Sequence, residues 1–185
     1  MKHDFPDKII FLDVDGVINI PPYATFNSDC VNNVKKIIEA TGAKIVISSS
    51  WREGDLEKTK KHFPTWMHEY IIGETVRGYH YTEEGSTLPI VRGNEIKHWV
   101  DRNLKYPWHE DPSALELYKI YDENNNFRHM NSNKVNEDYS YVILDDNSDM
   151  LYEQRNHFIQ PNGYIGLTSD DVKRAVAILN YKKLI

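Results

Sequence analysis

The chain has 185 residues, a mass of 21.7 kDa and a formal net charge of −6. This length predicts a single domain over residues 1–185, which can bury about 70% of the surface of the extended chain. The excess of acidic residues argues against a general nucleic-acid coat protein. Since Cys30 is the only cysteine, an intrachain disulfide framework and a cysteine-based zinc cluster are excluded. No segment resembles a secretory leader or a membrane span, so we expect a cytoplasmic protein.

The alternation of apolar runs with helical patterns predicts the fold class. Apolar runs of strand length occupy, in chain order, Lys8–Asp13, Lys44–Ile47, Glu69–Ile72, Tyr141–Leu144 and, as a further candidate, His157–Ile159. Helical patterns lie between and after them: one capped by Ser28 and ended by Gly42, a polar one over 53–62, one over 93–104 and one capped by Ser169. This alternation predicts an α/β fold, with a parallel sheet and helices on both of its faces.

Two segments interrupt the alternation. Residues 73–91 contain three glycines and a proline and predict a long loop or an irregular hairpin. Residues 105–138 are polar and rich in asparagine, and we interpret them as an insertion before the Tyr141–Leu144 strand. Within this insertion, the pattern around 122–126 is compatible with a hairpin.

Acidic residues follow two of the predicted strands at the point where each strand ends. Asp13 and Asp15 follow the first strand, Asp145 and Asp146 follow Tyr141–Leu144, and Asp149 comes three residues later. The carboxyl ends of parallel strands meet at one edge of the sheet, where ligands bind. If the two strands are neighbours, their carboxylates converge there and repel one another unless a cation neutralises them. Oxygen ligands without thiolates favour Mg²⁺ over zinc. The sequence therefore predicts a magnesium site at this edge.

These strand ends resemble the motifs of the haloacid dehalogenase (HAD) superfamily of phosphohydrolases. The matching residues are, motif by motif, Asp13 and Asp15 within Phe11–Val17, then Ser49, then either Arg92 or Lys97, and finally Asp145 with Asp146. The resemblance implies a Rossmann-like α/β domain that carries phosphatase activity. Segments 49–52, 72–75, 92–99, 144–149 and 166–168 also resemble the small HAD domains of multi-enzyme Swiss Army knife RNA-repair proteins. Residues 105–138 have no counterpart in that resemblance.

The resemblance implies a role for each acidic residue. Asp13 would attack phosphorus, and Asp15 would act as general acid and then as general base. Asp13, the Asp15 carbonyl and Asp146 would hold Mg²⁺. Asp145 and Asp149 would be outer ligands or would orient bound water.

The resemblance also implies the residues that bind phosphate. Ser49, with Ser50 beside it, would donate a hydrogen bond to a phosphate oxygen. Ser48 is a weaker alternative to Ser49, because a residue that still belongs to the strand points to the opposite face. A basic residue, Arg92 or Lys97, would neutralise the charge on the phosphoryl group. We favour Arg92 because it lies at the helix start, where the superfamily usually places this residue, whereas Lys97 is one turn inside the helix.

The substrate follows less directly from the sequence. Residues 19–28 are too few for a folded cap, and 53–91 leave little room for one, so we expect minimal or no cap and an open site. An open site suits a phosphate at the end of a large molecule, such as a polynucleotide or a phosphoprotein, and we favour the polynucleotide. A small phosphomonoester, such as a nucleotide or a sugar phosphate, is the alternative, and the insertion at 105–138 is a candidate for a substitute lid. Trp51, beside the expected phosphate site, would either pack the loop or stack on a substrate ring. Rival interpretations are a phospho-receiver module and a non-catalytic HAD domain used for binding.

Overall fold

A computed structural model describes residues 6–81, 87–105 and 138–181. The predicted insertion at 105–138 therefore lies almost entirely outside the described residues, as does the hairpin that we expected around 122–126. None of the helices in the described ranges is long and apolar enough to cross a membrane.

The core of the fold is a five-stranded parallel sheet. Its strands are β1 (Lys8–Leu12), β2 (Lys44–Ile47), β3 (Ile71–Glu74), β6 (Ser140–Leu144) and β7 (Phe158–Ile159). Their order across the sheet is β3-β2-β1-β6-β7, which places β1 in the centre. Every neighbouring pair is parallel. The predicted α/β sheet is confirmed, including its fifth strand.

One strand begins later than predicted. The expected strand at Glu69–Ile72 is β3, Ile71–Glu74. A 3₁₀ turn at Thr65–Met67 extends its hydrogen bonding to Tyr70, whose backbone nitrogen donates to Met67 O at 2.9 Å. The chain therefore joins the sheet at Tyr70, whose carbonyl accepts from Ile45 N of β2 at 2.8 Å.

The helices cover both faces of the sheet, as predicted. They are α1 (Ser28–Thr41), α2 (Leu56–Lys60), α3 (Arg92–Val100) and α4 (Ser169–Asn180). Ile10 of β1 faces the apolar cluster that α1 and α4 cover, while Phe11, one residue later, faces the cluster under α3. Because successive side chains alternate between the two faces and both are covered, the strands are continuous apolar runs.

Two predicted helix caps are wrong by one residue. The cap of α1 is Asn27 rather than Ser28, because its side chain accepts from the backbone nitrogens of Asp29 and Cys30, both at 3.0 Å. The cap of α4 is Thr168 rather than Ser169. In each case another favoured capping residue stands immediately before the predicted one.

The other two helices are shorter than their sequence patterns. The polar pattern over 53–62 yields only α2, because Asp55 caps it and accepts from Glu57 N at 3.0 Å. The pattern over 93–104 yields α3, which passes into a π-helical turn at Asp101–Lys105.

A small hairpin follows β3 outside the main sheet. Its antiparallel strands are β4 (Tyr79–Tyr81) and β5 (Thr87–Pro89). This agrees with the hairpin alternative for residues 73–91. No separate cap domain is present in the part of the chain that the structure describes.

Candidate active site

The candidate site lies where β1 and β6 end side by side. Leu12 and Leu144, the last residues of the two strands, are register partners. The ladder continues one step further, because Asp13 N donates to Leu144 O at 2.9 Å. This register brings the acidic segments that follow the two strands to the same edge, as the sequence predicts.

Three carboxylates form a cluster at this edge. One oxygen from each of Asp13, Asp145 and Asp146 lies within 4.8 Å of the others. Asp13 and Asp145 are only 5% and 1% exposed. Burial raises the pKa of Asp13, and burial together with the charge of Asp13 raises the pKa of Asp145 to about 7. Asp145, expected as an outer group, therefore belongs to the cluster itself.

Arg92 supplies the positive charge that faces this cluster. Its Nη1 atom lies 3.3 Å from Asp13 Oδ1 and 3.7 Å from Asp145 Oδ2. This guanidinium charge lowers the pKa of both carboxyls and partly offsets the effect of burial. Arg92 is the first residue of α3, where the chain enters the helix next to the ends of β1 and β6.

Asp149 fixes the start of α3 rather than joining the carboxylate cluster. Its Oδ2 atom accepts from Arg92 N at 3.0 Å, and its carbonyl accepts from Gly93 N at 3.2 Å. Both donors are first-turn N–H groups, which have no partner within the helix. Asp149 thus positions Arg92 through its backbone.

Lys97, the other candidate for the basic motif, lies away from the cluster. Its Nζ atom pairs with Asp101 at 2.9 Å and with Glu153 at 3.6 Å, and its side chain is 43% exposed. The structure therefore brings Arg92, and not Lys97, to Asp13.

Asp15 is held apart from the three clustered carboxylates. Its Oδ1 atom accepts from Asn19 Nδ2 at 2.7 Å, and its Oδ2 atom accepts from Trp51 Nε1 at 2.9 Å. The Trp51 ring packs against Phe26, with 5.5 Å between centroids. Trp51 therefore packs the loop, and it also orients Asp15, a role that the sequence did not suggest.

The serines after β2 take different positions. Ser49 is fully buried, and its side-chain hydrogen bond to Asp13 lowers the pKa of that carboxyl. Ser50 is exposed and lines a groove together with Arg92. Ser48 is buried, and its hydroxyl has no hydrogen-bond partner among the described residues. Of the three, Ser49 is the one in contact with Asp13.

A buried ion pair supports the Ser49 loop, and the sequence analysis did not predict it. Arg52 Nη1 lies 2.8 Å from Glu95 Oε2, and the two side chains are 5% and 6% exposed. Arg52 also donates from Nε to Ser49 O at 2.5 Å and from Nη1 to Thr75 O at 2.9 Å. The pair thereby ties together the loop after β2, the end of β3 and helix α3. The only signal in the sequence was that these residues belong to segments of the HAD resemblance.

Two glycines leave room for the Asp146 carboxylate. Gly16 has a φ of 75°, in the left-handed region that glycine adopts readily, and a Cβ atom there would overlap the Asp146 side chain. A Cβ atom on Gly163 would lie 2.6 Å from Asp146 Oδ2. Gly16 directly follows Asp15 in the first motif, whereas nothing in the sequence linked Gly163 to the site.

The donor set of the cluster fits a hard divalent cation. All three groups offer carboxylate oxygens, as Mg²⁺ prefers. Asp145 Oδ2 is buried and has no hydrogen-bond partner among the described residues, since Arg92 Nη1 lies 3.7 Å away, beyond hydrogen-bond distance. A buried carboxylate oxygen in this position is costly unless a closer cation or a proton satisfies it.

Comparison with known proteins agrees with this geometry. A family model for the HAD domain in Swiss Army Knife RNA repair proteins matches residues 9–116. Because the match covers more than half of the chain, the chain belongs to this family, as its sequence motifs predicted. Membership supports a phosphohydrolase-type activity in general. Searches of curated proteins and of solved structures found no significant match. Since the family match ends at residue 116, the assignment of Asp145 and Asp146 rests on the geometry of the site.

Proposed function

We propose that the chain is a Mg²⁺-dependent phosphatase that removes the terminal phosphate from a polynucleotide through an aspartyl-phosphate on Asp13. One observation carries this proposal: Asp13 lies within 3.3 Å of the Arg92 guanidinium and clusters with Asp145 and Asp146 at the carboxyl edge of a parallel sheet. A nucleophilic carboxylate beside a fixed cation and a set of metal-binding oxygens is suited to phosphoryl transfer.

The reaction proceeds in two steps on Asp13. In the first step a carboxylate oxygen of Asp13 attacks phosphorus, the bond to the leaving oxygen breaks, and Asp15 gives that oxygen a proton. In the second step Asp15 takes a proton from water, the water oxygen attacks phosphorus, and the bond to Asp13 breaks to release phosphate. The hydrogen bonds from Asn19 and Trp51 support the role of Asp15, because they hold its carboxylate in one orientation.

Charge on the phosphoryl group is balanced from two sides. The Arg92 guanidinium and the Ser49 hydroxyl donate to its oxygens. When bound by Asp13, Asp145, Asp146 and the Asp15 carbonyl, Mg²⁺ supplies further charge neutralisation for the same group. The backbone contact between Arg92 and Asp149 keeps the guanidinium at the site without help from substrate.

Two facts favour a polynucleotide over a small metabolite. The family is described by its place in RNA repair proteins. Within the described residues, which exclude most of the insertion at 105–138, no cap domain covers the carboxyl edge. The net charge of −6 argues against a polynucleotide substrate. A small phosphomonoester remains the alternative that the assay must distinguish.

The test is phosphate release in the presence of Mg²⁺ by the wild-type protein, Asp13→Asn and Asp170→Asn. Asp170 is a matched control, because it is an exposed aspartate at the start of α4. The substrates are an aryl phosphate, nucleoside monophosphates, sugar phosphates and oligonucleotides phosphorylated at the 3′ or 5′ end. We expect release by the wild type and by Asp170→Asn, none by Asp13→Asn, and loss of release in EDTA.

Each component of the proposal can fail separately in this assay. Release by Asp13→Asn at the wild-type rate would refute the covalent mechanism. A preference for sugar phosphates or nucleoside monophosphates over every oligonucleotide would refute the polynucleotide substrate. Absence of release from all substrates, in a folded wild-type protein, would refute the phosphatase activity itself.

A further inference from the structure

A groove opens beside the carboxylate cluster, on the side of the Ser49 loop. It has a volume of about 270 Å³, and Ser50, Arg77, Ile90 and Arg92 are among the residues that line it. Arg92 belongs to both places, since its Nη1 atom lies 3.3 Å from Asp13 Oδ1. The volume is below the ~300 Å³ at which ordinary small-molecule pockets begin. The groove therefore suits one compact group of a larger substrate whose reacting phosphate lies at Asp13.

The groove carries an excess of positive charge. Three guanidinium groups line it, those of Arg52, Arg77 and Arg92, against two carboxylates, those of Glu95 and Asp149. Glu95 compensates Arg52 at 2.8 Å and Arg92 faces Asp13 at 3.3 Å, so the uncompensated charge is that of Arg77. Arg77 has no acidic partner within residues 6–81, 87–105 and 138–181. Burial lowers the pKa of Arg52, and the charges of Arg92 and Arg77 lower it further. This mutual effect indicates that the three guanidinium groups lie close together. An uncompensated positive charge in a concave surface attracts an anionic ligand.

Arg77 is fixed in position and still has donors to offer. Its Nη2 atom donates to the carbonyl oxygens of Ser50 and Arg52, the latter at 3.1 Å. A guanidinium carries five N–H donors in a rigid fork, so three of them remain for a ligand. This fork matches the geometry of phosphate oxygens, and its prior fixation reduces the conformational entropy lost on binding.

We infer that this groove binds the phosphate next to the scissile one in the substrate, and that Arg77 is the residue that recognises it. The inference rests on the proposed phosphatase activity and adds a second phosphate as the feature that distinguishes good substrates from poor ones. A phosphodiester of a polynucleotide and the second phosphate of a small bisphosphate share this chemistry. The assay therefore includes both.

The kinetic test compares Arg77→Gln with the wild type and with Arg174→Gln. Arg174 is a matched control, since it lies on α4 and pairs with Asp171. The readout is the ratio of kcat/KM for a 3′-phosphorylated oligonucleotide, and separately for a sugar bisphosphate, to kcat/KM for an aryl phosphate. Loss of hydrogen bonds to a charged group predicts a roughly 10- to 100-fold fall in this ratio for Arg77→Gln, mainly through KM. Arg77→Lys should restore part of the ratio, and Arg174→Gln should leave it unchanged.

The outcomes of the kinetic test separate the two sources of the second phosphate. An equal loss on the oligonucleotide and the aryl phosphate in Arg77→Gln would mean that Arg77 only supports the Ser50 loop, and would overturn the inference. A sugar bisphosphate hydrolysed faster than the oligonucleotide would retain the groove as a phosphate site but would overturn the polynucleotide as its source.

A binding test examines the groove without turnover. Calorimetric titration of the Asp13→Asn protein compares a nucleoside 3′,5′-bisphosphate with the corresponding 3′-monophosphate. We expect tighter binding of the bisphosphate, and loss of this preference in the double variant Asp13→Asn/Arg77→Gln. Equal binding of the two nucleotides would overturn the inference even if the wild type is an active phosphatase. A preference that depends on Arg77, found together with no phosphatase activity, would retain the groove as a phosphate site and would refute the proposed function instead.

Discussion

The buried pair between Arg52 and Glu95 makes a specific prediction about stability. Replacement of Glu95 by alanine leaves the Arg52 guanidinium buried without a counter-charge, since the two side chains are only 5% and 6% exposed. It also removes the acceptor for Gly78 N, which donates to Glu95 Oε1 at 3.1 Å. We therefore expect Glu95→Ala to destabilise the fold strongly.

The size of the expected loss in stability depends on the contacts that Arg52 keeps in the Glu95→Ala variant. Breaking a buried ion pair from one side costs about 3–5 kcal/mol. Arg52 keeps its hydrogen bonds to Ser49 O and Thr75 O, which places the loss near the lower end, about 3 kcal/mol. For a urea slope of about 2–3 kcal/mol/M, the unfolding midpoint should fall by roughly 1 M.

The assay is equilibrium unfolding in urea, followed by circular dichroism, with Glu57→Ala as the matched control. Glu57 pairs with Lys60 at 3.0 Å, but its side chain is 79% exposed. An exposed pair contributes ~0–1 kcal/mol, so the control should hardly shift the midpoint. A Glu95→Ala midpoint within the error of the control, with an unchanged slope, would show that the buried pair does not carry the stability assigned to it.

A second variant tests whether the two side chains act as a unit. If they do, the double variant Arg52→Ala/Glu95→Ala should lose less stability than the two single losses added together, because the second substitution removes a charge that is already uncompensated. Strict additivity would contradict the pairing. The double variant should still lose some stability, since the carbonyl groups of Ser49 and Thr75 lose their donor.

Two further predictions concern the site. In the phosphatase assay, the activity of Arg92→Ala should fall roughly 100-fold or more and that of Lys97→Ala less than roughly 10-fold, because only Arg92 contacts Asp13. The reverse order would assign the basic motif to Lys97. In metal-free protein, the pKa of Asp145 is raised from 3.8 to about 7. The proton bound to Asp145 therefore stabilises the folded state fully below about pH 4, and this stabilisation is lost as the pH rises through 7. Urea unfolding in EDTA should show this loss, up to ~4 kcal/mol, and Mg²⁺ should reduce it; stability that is equally pH-dependent with and without Mg²⁺ would contradict the metal site.

The central sheet and its acidic edge were predictable because each rests on a local signal. A strand buried on both faces is a continuous apolar run, as Lys8–Leu12 and Ser140–Leu144 show. The acids come directly after these runs, so a parallel sheet brings Asp13 and Asp145 together once β1 and β6 are neighbours, as they are in the structure. The strand limits and helix caps were less predictable, because neighbouring residues such as Asn27 and Ser28 cap a helix about equally well.

The contacts that orient the site were not predictable, because each joins residues far apart in the chain. Trp51 and Asp15 are 36 residues apart, and Arg52 and Glu95 are 43 apart. A single sequence contains no periodic or compositional signal for such a pair. The choice between Arg92 and Lys97 also needed the structure. Both residues lie on the same helix, and only the structure shows that the Arg92 side chain reaches Asp13 while the Lys97 side chain does not.

The buried charges near the site have a common consequence for its rigidity. An apolar pair in place of Arg52 and Glu95 could stabilise the fold equally well or better. Such a pair could not donate to Ser49 O and Thr75 O, nor accept from Gly78 N, and those groups belong to the loops that carry Ser49 and Arg77. The ion pair therefore contributes what an apolar contact cannot, a fixed orientation of backbone on both sides of the groove. Since phosphoryl transfer depends chiefly on positioning and charge, this fixed frame is where the fold contributes most directly to the proposed chemistry.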